Sequence, residues 1–180
     1  LLNTLGVHVK VEVRTLHSFF LKILRTFGNN ANIIEESTRR KFIKESCKEA
    51  EFTTKDDELA LIDNLLSYQV NNLLSDKKTI ESSVNTIESL TVEQYAKIRK
   101  GYADKKAAKG LIDYDDMQTY LYVWMVKYMK SSNQAERDMA VGVLQYCKAM
   151  WTDFYIDEAQ DVSKIQFAIL RAMVTELDNK

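Results

Sequence analysis

The stretch that decides the fold is residues 155–161, which read Tyr155-Ile156-Asp157-Glu158-Ala159-Gln160-Asp161. A segment that favours a β-strand, at about 152–156, ends here, and two adjacent carboxylates follow at once. In a nucleotide hydrolase, such a strand end presents one carboxylate to Mg²⁺ and the other to the attacking water. Acidic pairs are common, so the alternative is an acidic loop that merely caps a helix at Ser163.

The phosphate-binding loop that should accompany these acids is missing, since no G-x-x-x-x-G-K-[ST] occurs anywhere in the chain. The chain also begins with Leu1 rather than with Met, which favours a trimmed sequence. We therefore expect an ATP-driven enzyme of which only a part is present.

Composition indicates a globular, mostly helical protein. Hydrophobic residues make up 46% and charged residues 28%, while proline is absent and glycine numbers only 5. The formal net charge of -1 means that any nucleic-acid surface must be a local patch.

Cysteine and histidine usage excludes a zinc site, because the two cysteines and two histidines show no metal-ligand spacing. We expect Cys47 and Cys147 to be free, buried or partly buried thiols in a reducing cytosol. No apolar run approaches the roughly 18 residues of a membrane span, which favours a cytoplasmic protein without membrane contact.

Period-two alternation of valine with charged residues predicts a first strand at about 9–14. A turn at 15–18 leads into a helix that ends at Gly28, and the region from about 35 to 110 is helical, with Gly110 as a second helix end. The predicted starts of the later helices are Thr38, Thr54, Thr91 with Gln94, Asp113 with Asp116, Asn133 or Ser132, and Ser163 with Gln166.

Two strand-turn-helix units are thus separated by more than a hundred mainly helical residues. The helix that opens at Asp113 should run to about 130, and a polar helix or loop should occupy about 79–89. The fold class that we expect is mainly α with a small parallel β component, in which a helical insertion interrupts a parallel sheet.

Three stretches together resemble the UvrD/Rep-type superfamily 1 DNA helicases, in order and in spacing. They are Arg14-Thr15-Leu16-His17-Ser18-Phe19, Leu111-Ile112-Asp113-Tyr114-Asp115-Asp116-Met117, and the 156–161 part of the acidic stretch, which matches the family's Walker B form. The resemblance is weak from 30 to 90. It implies a partial P-loop NTPase, or RecA-like, α/β lobe interrupted by a helical insertion.

The resemblance implies a division of the chain. Residues 1–28 would belong to RecA-like lobe 1A, residues 29–110 would form the helical 1B-like insertion, and residues 111–180 would return to lobe 1A.

The resemblance also implies roles for the acidic stretch. Asp157 would organise Mg²⁺, and Glu158 would be the catalytic base for ATP hydrolysis. Gln160 would share the catalytic site, and Gln160 and Asp161 would couple the nucleotide site to neighbouring motifs.

The other two stretches carry implied roles as well. Thr15, His17 and Ser18 would lie near the path of single-stranded DNA. Asp113 and Asp116 would sit where the insertion returns to the lobe. Their alternative is an N-cap and salt-bridge junction without direct chemistry.

As a whole, the resemblance implies a fragment of an ATP-dependent 3′-to-5′ DNA helicase or translocase. Its cofactors would be ATP and Mg²⁺, and its partners would be single-stranded DNA, a duplex junction and a nuclease domain or subunit. We expect the isolated chain to be inactive, because the Walker A motif and the second lobe lie outside it. The alternative is a non-enzymatic helical module that binds DNA or protein and carries a vestigial Walker B motif.

The helix that starts after Thr91 is rich in basic residues, with Tyr95 and Tyr102 interleaved. Such a helix can follow a phosphate backbone and stack bases, or it can simply be a solvated face. The candidate DNA-binding residues within it are Lys105, Lys106 and Lys109. At their helical spacing, the larger aromatic residues are expected in the core; these are Phe19, Phe20, Phe27, Trp124 and Trp151.

Overall fold

A computed structural model describes residues 11–82, 87 and 89–178. Within these ranges the chain is mainly helical, and the short strands β1 (Asn32–Ile33) and β2 (Leu111–Ile112) form a parallel pair. The expected fold class, mainly α with a small parallel β component, is confirmed. The helices are α1 (Leu16–Thr26), α2 (Glu36–Glu49), α3 (Asp56–Asn72), α4 (Asp76–Ser82), α5 (Val92–Ala108), α6 (Tyr114–Tyr122), α7 (Gln134–Met150) and α8 (Lys164–Asp178).

The strands are not the ones that the sequence predicts. Residues 11–14 and 152–156 form no strand, and the start of the first prediction, residues 9 and 10, lies outside the described residues. A strand needs a hydrogen-bonded neighbour, and the described residues supply no backbone ladder to either segment. The observed strands are too short for a period-two pattern to reveal them.

Most helix starts follow the predicted capping chemistry. Thr15 caps α1, and its Oγ1 accepts the Ser18 amide at 3.2 Å. The remaining confirmed caps are Thr91 with Gln94, Asp113 with Asp116, Asn133, and Ser163 with Gln166. Each depends on contacts within three residues, which is why the sequence predicts it.

Two predicted caps are wrong. Helix α2 begins after Glu35 rather than at Thr38, and α3 begins after Lys55 rather than at Thr54. At α3 the Glu58 carboxylate accepts the Lys55 amide at 2.8 Å, which satisfies the amide from inside the helix.

The predicted helix from Asp113 to about residue 130 changes its winding on the way. Helix α6 ends at Tyr122, a π-helical segment follows over Val123–Lys127, and a 3₁₀ turn closes it at Tyr128–Lys130. Of the predicted helix or loop at 79–89, the described part belongs to α4 up to Ser82.

The helices surround two hydrophobic cores. One core joins α1, α6, the π-helical segment, α7 and α8, and includes Phe20, Met117 and Ile169. The other joins α2, α3 and α5 around Ile43 and Ile62. The aromatic residues behave as expected: Phe19 and Phe20 are buried in the first core, while Phe27, Trp124 and Trp151 pack against it.

The chain crosses between the cores near the two short strands. Gly28 precedes β1 with φ +88° and Gly110 precedes β2 with φ +62°, so both predicted helix-ending glycines adopt the left-handed conformation. The amide of Asn32 donates to the Gly110 carbonyl at 3.1 Å, which places the two crossings side by side.

Cys47 and Cys147 are free and buried, as predicted. Among the described residues, none of the helices combines the length and the apolar character that crossing a bilayer requires.

Candidate functional site

The acidic stretch forms an exposed turn at the start of a short 3₁₀ helix, Ala159–Asp161. The Asp157 carboxylate accepts the Glu158 amide at 2.9 Å, and the Glu158 carbonyl accepts the Asp161 amide at 2.9 Å. The side-chain amide of Gln160 donates to the Glu158 carboxylate. Three of the predicted site residues are therefore joined directly around Glu158.

Glu158 has an unusual backbone conformation. Its φ of +49° and ψ of +45° lie in the left-handed region, which costs a non-glycine residue about 1–2 kcal/mol. Such strain persists where the surroundings fix it, and it concentrates at functional sites. The conformation turns the chain sharply between the two carboxylates.

A cavity of about 660 Å³ lies between the segment before α1 and the segment that leads to the acids. Thr15, Asp157, Glu158 and Asp161 all line it. Two sites that the sequence treats separately, the start of α1 and the acidic stretch, thus share one cleft. His17, Ser18 and Gln160 do not line it.

Glu12 links the two sides of this cleft, and sequence reasoning missed it. Its carboxylate accepts hydrogen bonds from Lys22 at 2.7 Å, from the Trp151 indole at 3.2 Å, and from Arg14. These bonds, that of Lys22 first, lower the pKa of Glu12 to about 2. No local pattern could have indicated the partner at Trp151, which lies 139 residues away.

Aromatic packing adds to this link. The Trp151 ring centroid lies 4.8 Å from that of Phe19, and the Phe154 ring lies 5.8 Å from the same residue. The Lys22 ammonium sits 5.2 Å from the Trp151 ring centroid. The chain that leads to Asp157 is therefore held against α1 by both charge and ring contacts.

The start of α1 places its three predicted residues in different surroundings. The Thr15 side chain caps the helix, and the Ser18 hydroxyl donates back to the Thr15 carbonyl at 2.9 Å. His17 is half-buried against Tyr114, with ring centroids 4.8 Å apart. Burial lowers the pKa of His17, and the charge of Asp115 opposes that shift only in part.

The third predicted stretch forms a reciprocal cap at α6. Asp113 Oδ1 accepts the Asp116 amide at 2.8 Å, and Asp116 Oδ2 accepts the Asp113 amide at 3.0 Å. The Lys106 ammonium donates to Asp113 Oδ2 at 2.6 Å and to Asp116, and the Tyr102 hydroxyl donates to Asp113 at 2.7 Å. The sequence alternative of a cap and salt-bridge junction describes these contacts.

Arg39 of α2 extends this cluster across the two cores. Its guanidinium lies 2.7 Å from Asp63, 3.3 Å from Asp113 and 3.4 Å from Asp115. The Ser67 hydroxyl also donates to Asp115 at 2.7 Å. Helices α2, α3, α5 and α6 therefore meet in one charge network, which we call the junction network: Arg39, Asp63, Ser67, Tyr102, Lys106, Asp113, Asp115 and Asp116.

The acids of the junction network differ in how burial and charge balance. Burial favours the neutral form of Asp113, but the charge and hydrogen bond of Lys106 outweigh it, so the pKa of Asp113 falls below its ordinary value. Burial raises the pKa of Asp115. Burial and the Asp113 charge together raise the pKa of Asp116.

The basic helix does not present the predicted DNA-binding residues as one free face. The Lys106 side chain is only 6% exposed and is paired inside the junction network, so its prediction as a DNA contact is corrected. Lys105 forms an ion pair with Glu49 at 2.6 Å, while Lys109 is exposed. Tyr95 and Tyr102 are buried and offer no surface for base stacking.

Asp157 suits a limited role in holding Mg²⁺. In the described part of the chain, no group of three or more His, Cys, Asp or Glu side chains could enclose a metal ion. Mg²⁺ needs no such cage, because it commonly takes one or two carboxylates and completes its shell with phosphate oxygens and water. An exposed carboxylate at the mouth of a cleft meets that requirement.

Comparison with known proteins agrees with this geometry. The UvrD/REP helicase N-terminal domain family matches residues 2–179. The probable DNA helicase II homolog of Mycoplasma capricolum is 22% identical over 169 residues, which cover 88% of this chain and 21% of that protein. The ATP-dependent DNA helicase PcrA of Staphylococcus epidermidis is 23% identical over 175 residues, 94% of this chain and 22% of that protein.

A third relative combines two activities in its name. This protein, one of the subunits of the ATP-dependent helicase/nuclease of Clostridioides difficile, is 26% identical over 144 residues, 77% of this chain and 11% of that protein. The chain spans about a fifth of the length of the first two relatives. With the family match running over nearly the whole sequence, the chain belongs to the UvrD/REP helicase N-terminal domain family.

Proposed function

We propose that this chain is part of an ATP-dependent DNA helicase or translocase and supplies the hydrolytic carboxylates of its ATP site. The observation that carries the proposal is the strained turn at Glu158, which sets Asp157 and Glu158 side by side at the cleft that Thr15 also lines. The names of the relatives, which are ATP-dependent DNA helicases, support it.

In this proposal Glu158 is the general base. Its carboxylate accepts a proton from the water that attacks the γ-phosphate, and Gln160, hydrogen-bonded to that carboxylate, orients it. Asp157 would hold Mg²⁺, which supplies positive charge to the phosphate oxygens. The loop that cradles the phosphates has no counterpart in the sequence, so we expect turnover from the intact protein and none from this chain alone.

The remaining assignments are part of the same proposal. Residues 1–28 and 111–180 would belong to the RecA-like lobe and residues 29–110 to its helical insertion, which the division of the hydrophobic cores supports. Thr15, His17 and Ser18 would lie near single-stranded DNA, and Asp161 would couple the acidic turn to neighbouring motifs. Asp113 and Asp116 would couple the insertion to the lobe through the junction network.

The direction of movement and the additional partners also belong to the proposal. We expect 3′-to-5′ movement along single-stranded DNA towards a duplex junction, in the cytoplasm. The helicase/nuclease relative supports a nuclease domain or subunit. Unwinding of duplexes that carry either a 3′ or a 5′ single-stranded tail tests the direction, since the proposal requires activity on the 3′-tailed substrate alone.

The central experiment measures ATP hydrolysis by the intact protein with and without single-stranded DNA. The variants are Glu158→Gln and, as a matched control, Glu81→Gln, which removes an exposed carboxylate from α4. We expect DNA-stimulated turnover in the wild type and the control and its loss in Glu158→Gln, with nucleotide and DNA binding retained. Equal turnover in all three proteins would refute the role of Glu158, and DNA binding without any turnover would favour the non-enzymatic module.

A further inference from the structure

Helix α2 carries a row of cations that the proposed ATP site does not use. Arg40, Lys41, Lys44 and Lys48 are all exposed. Among the described residues, none of them has a carboxylate within ion-pair distance, in contrast to Arg39 on the same helix. We call these four residues the α2 basic row.

The α2 basic row lies on one side of the helix. At about 100° per residue, its four members fall within an arc of roughly 100°. The buried residues Phe42, Ile43, Ser46 and Cys47 all lie outside this arc. From Arg40 to Lys48 the row extends about 12 Å along the helix axis.

The acids of α2 leave this arc free. Glu36, Glu45 and Glu49 all project outside it by the same angular reckoning. Glu49 is also committed to Lys105 at 2.6 Å. The row is thus a surface of four positive charges in a chain whose formal net charge is -1.

The neighbouring helix α5, which is also rich in cations, offers no comparable surface. Arg99 pairs with Asp76 at 2.8 Å, Lys100 with Asp104 at 2.5 Å and Lys105 with Glu49. Lys106 is buried. The free positive charge of the helical region is therefore concentrated on α2, although the sequence pattern favours α5.

We propose that the α2 basic row is a sequence-independent contact surface for the phosphate backbone of duplex DNA. A straight row of unpaired cations complements duplex DNA, which carries about one negative charge per 1.7 Å of its axis. Proteins that bind single strands add aromatic side chains on which bases stack, and α2 exposes none because Phe42 is buried. The proposal rests on the proposed function for its choice of nucleic acid as the partner.

The test compares two triple variants of the intact protein with equal loss of charge. One removes three cations of the row (Arg40→Gln, Lys44→Gln and Lys48→Gln), and the control removes three exposed lysines at α5 (Lys97→Gln, Lys100→Gln and Lys109→Gln). Glutamine is a good helix former, so both variants should keep the fold, which thermal unfolding followed by circular dichroism checks.

Binding is measured by fluorescence anisotropy without nucleotide, so that the result does not depend on hydrolysis. The probes are a blunt duplex, a 3′-tailed duplex and a single-stranded oligothymidine, each titrated between about 50 and 200 mM salt. Loss of three phosphate contacts should reduce the slope of log K against log salt by about 2 to 3 for both duplex probes. The single-stranded probe should be unaffected, and the α5 variant should bind all three probes like the wild type.

Three results would overturn the proposal. An unchanged salt slope in the α2 variant would show that the row touches no phosphates. Equal losses in both variants would indicate bulk charge alone, and an equal loss on single-stranded DNA would exclude the duplex assignment. Single-stranded-DNA-stimulated ATP hydrolysis in the α2 variant separates this outcome from a failure of the proposed ATP site, because the proposal requires that hydrolysis to persist.

Discussion

The ammonium group of Lys106 lies 2.6 Å from the carboxylate of Asp113, and both side chains are more than nine-tenths buried. Helix α5 thereby reaches across to the first turn of α6, between the two hydrophobic cores. The pair is a structural contact at a place where the sequence alone indicates a basic surface.

Replacing Lys106 by Met should destabilise the fold by about 3–5 kcal/mol, because it leaves the buried Asp113 without its closest cation. Lys105→Met is the matched control, since that lysine pairs at the surface with the well-exposed Glu49 and should cost less than about 1 kcal/mol. Urea denaturation of both variants at neutral pH measures the difference. Similar losses in the two would contradict the burial of Lys106.

Glu12→Gln should weaken the fold at neutral pH and lose its effect in acid. The folded-state pKa of Glu12, about 2, lies below its ordinary value of 4.5, so its contribution is present above pH 4.5 and fades as the pH falls towards 2. The free energies of unfolding of wild type and variant should therefore converge over that interval. Glu45→Gln on α2 serves as the control, and a difference that stays constant with pH would rule out the link through Lys22 and Trp151.

The two thiols should resist alkylation in the folded protein. Burial raises the pKa of Cys47 to about 11 and that of Cys147 to about 12, so the reactive thiolate is scarce at pH 8. A colorimetric thiol assay should find neither group in the native chain and both after unfolding in guanidinium. Rapid labelling of either cysteine without denaturant would contradict the packing described for its core.

Tyr114→Ala should raise the pKa of His17 towards its ordinary value, because the tyrosine ring helps to shield the imidazole from water. Proton NMR titration can follow the two histidines of the chain, and His17→Gln identifies the signal. Tyr120→Ala, on the same helix but without a contact to His17 among the described residues, should leave the titration unchanged. A pKa of His17 that does not move in Tyr114→Ala would remove the stacking contact as its cause.

The sequence predicts the parts of this fold that depend on neighbours a few residues apart. The caps at Thr15, Thr91 and Asp113 are correct because hydroxyl and carboxylate caps act within three residues. The motif at 155–161 is recognisable for the same reason, since its residues adjoin in the chain and contact one another through Glu158.

The remaining features depend on partners that no local pattern specifies. Lys106 is one of several lysines of similar spacing on α5, and only the packing of α2 and α6 determines that it is buried. Glu12 follows a strand-like alternation, yet its partners come from α1 and from Trp151. Both strand predictions are wrong in the described residues because a period-two pattern cannot supply the neighbour that a strand requires.

The two crossings between the cores have a mechanical consequence. They run next to each other, each begins at a glycine with positive φ, and β1 and β2 bind them into one narrow strip. Such a strip permits rotation of one core against the other about its own line while resisting their separation. The junction network spans the same boundary away from the backbone, so it acts as the latch, and the strength of its charge pairs sets the torque needed to swing the helical unit open.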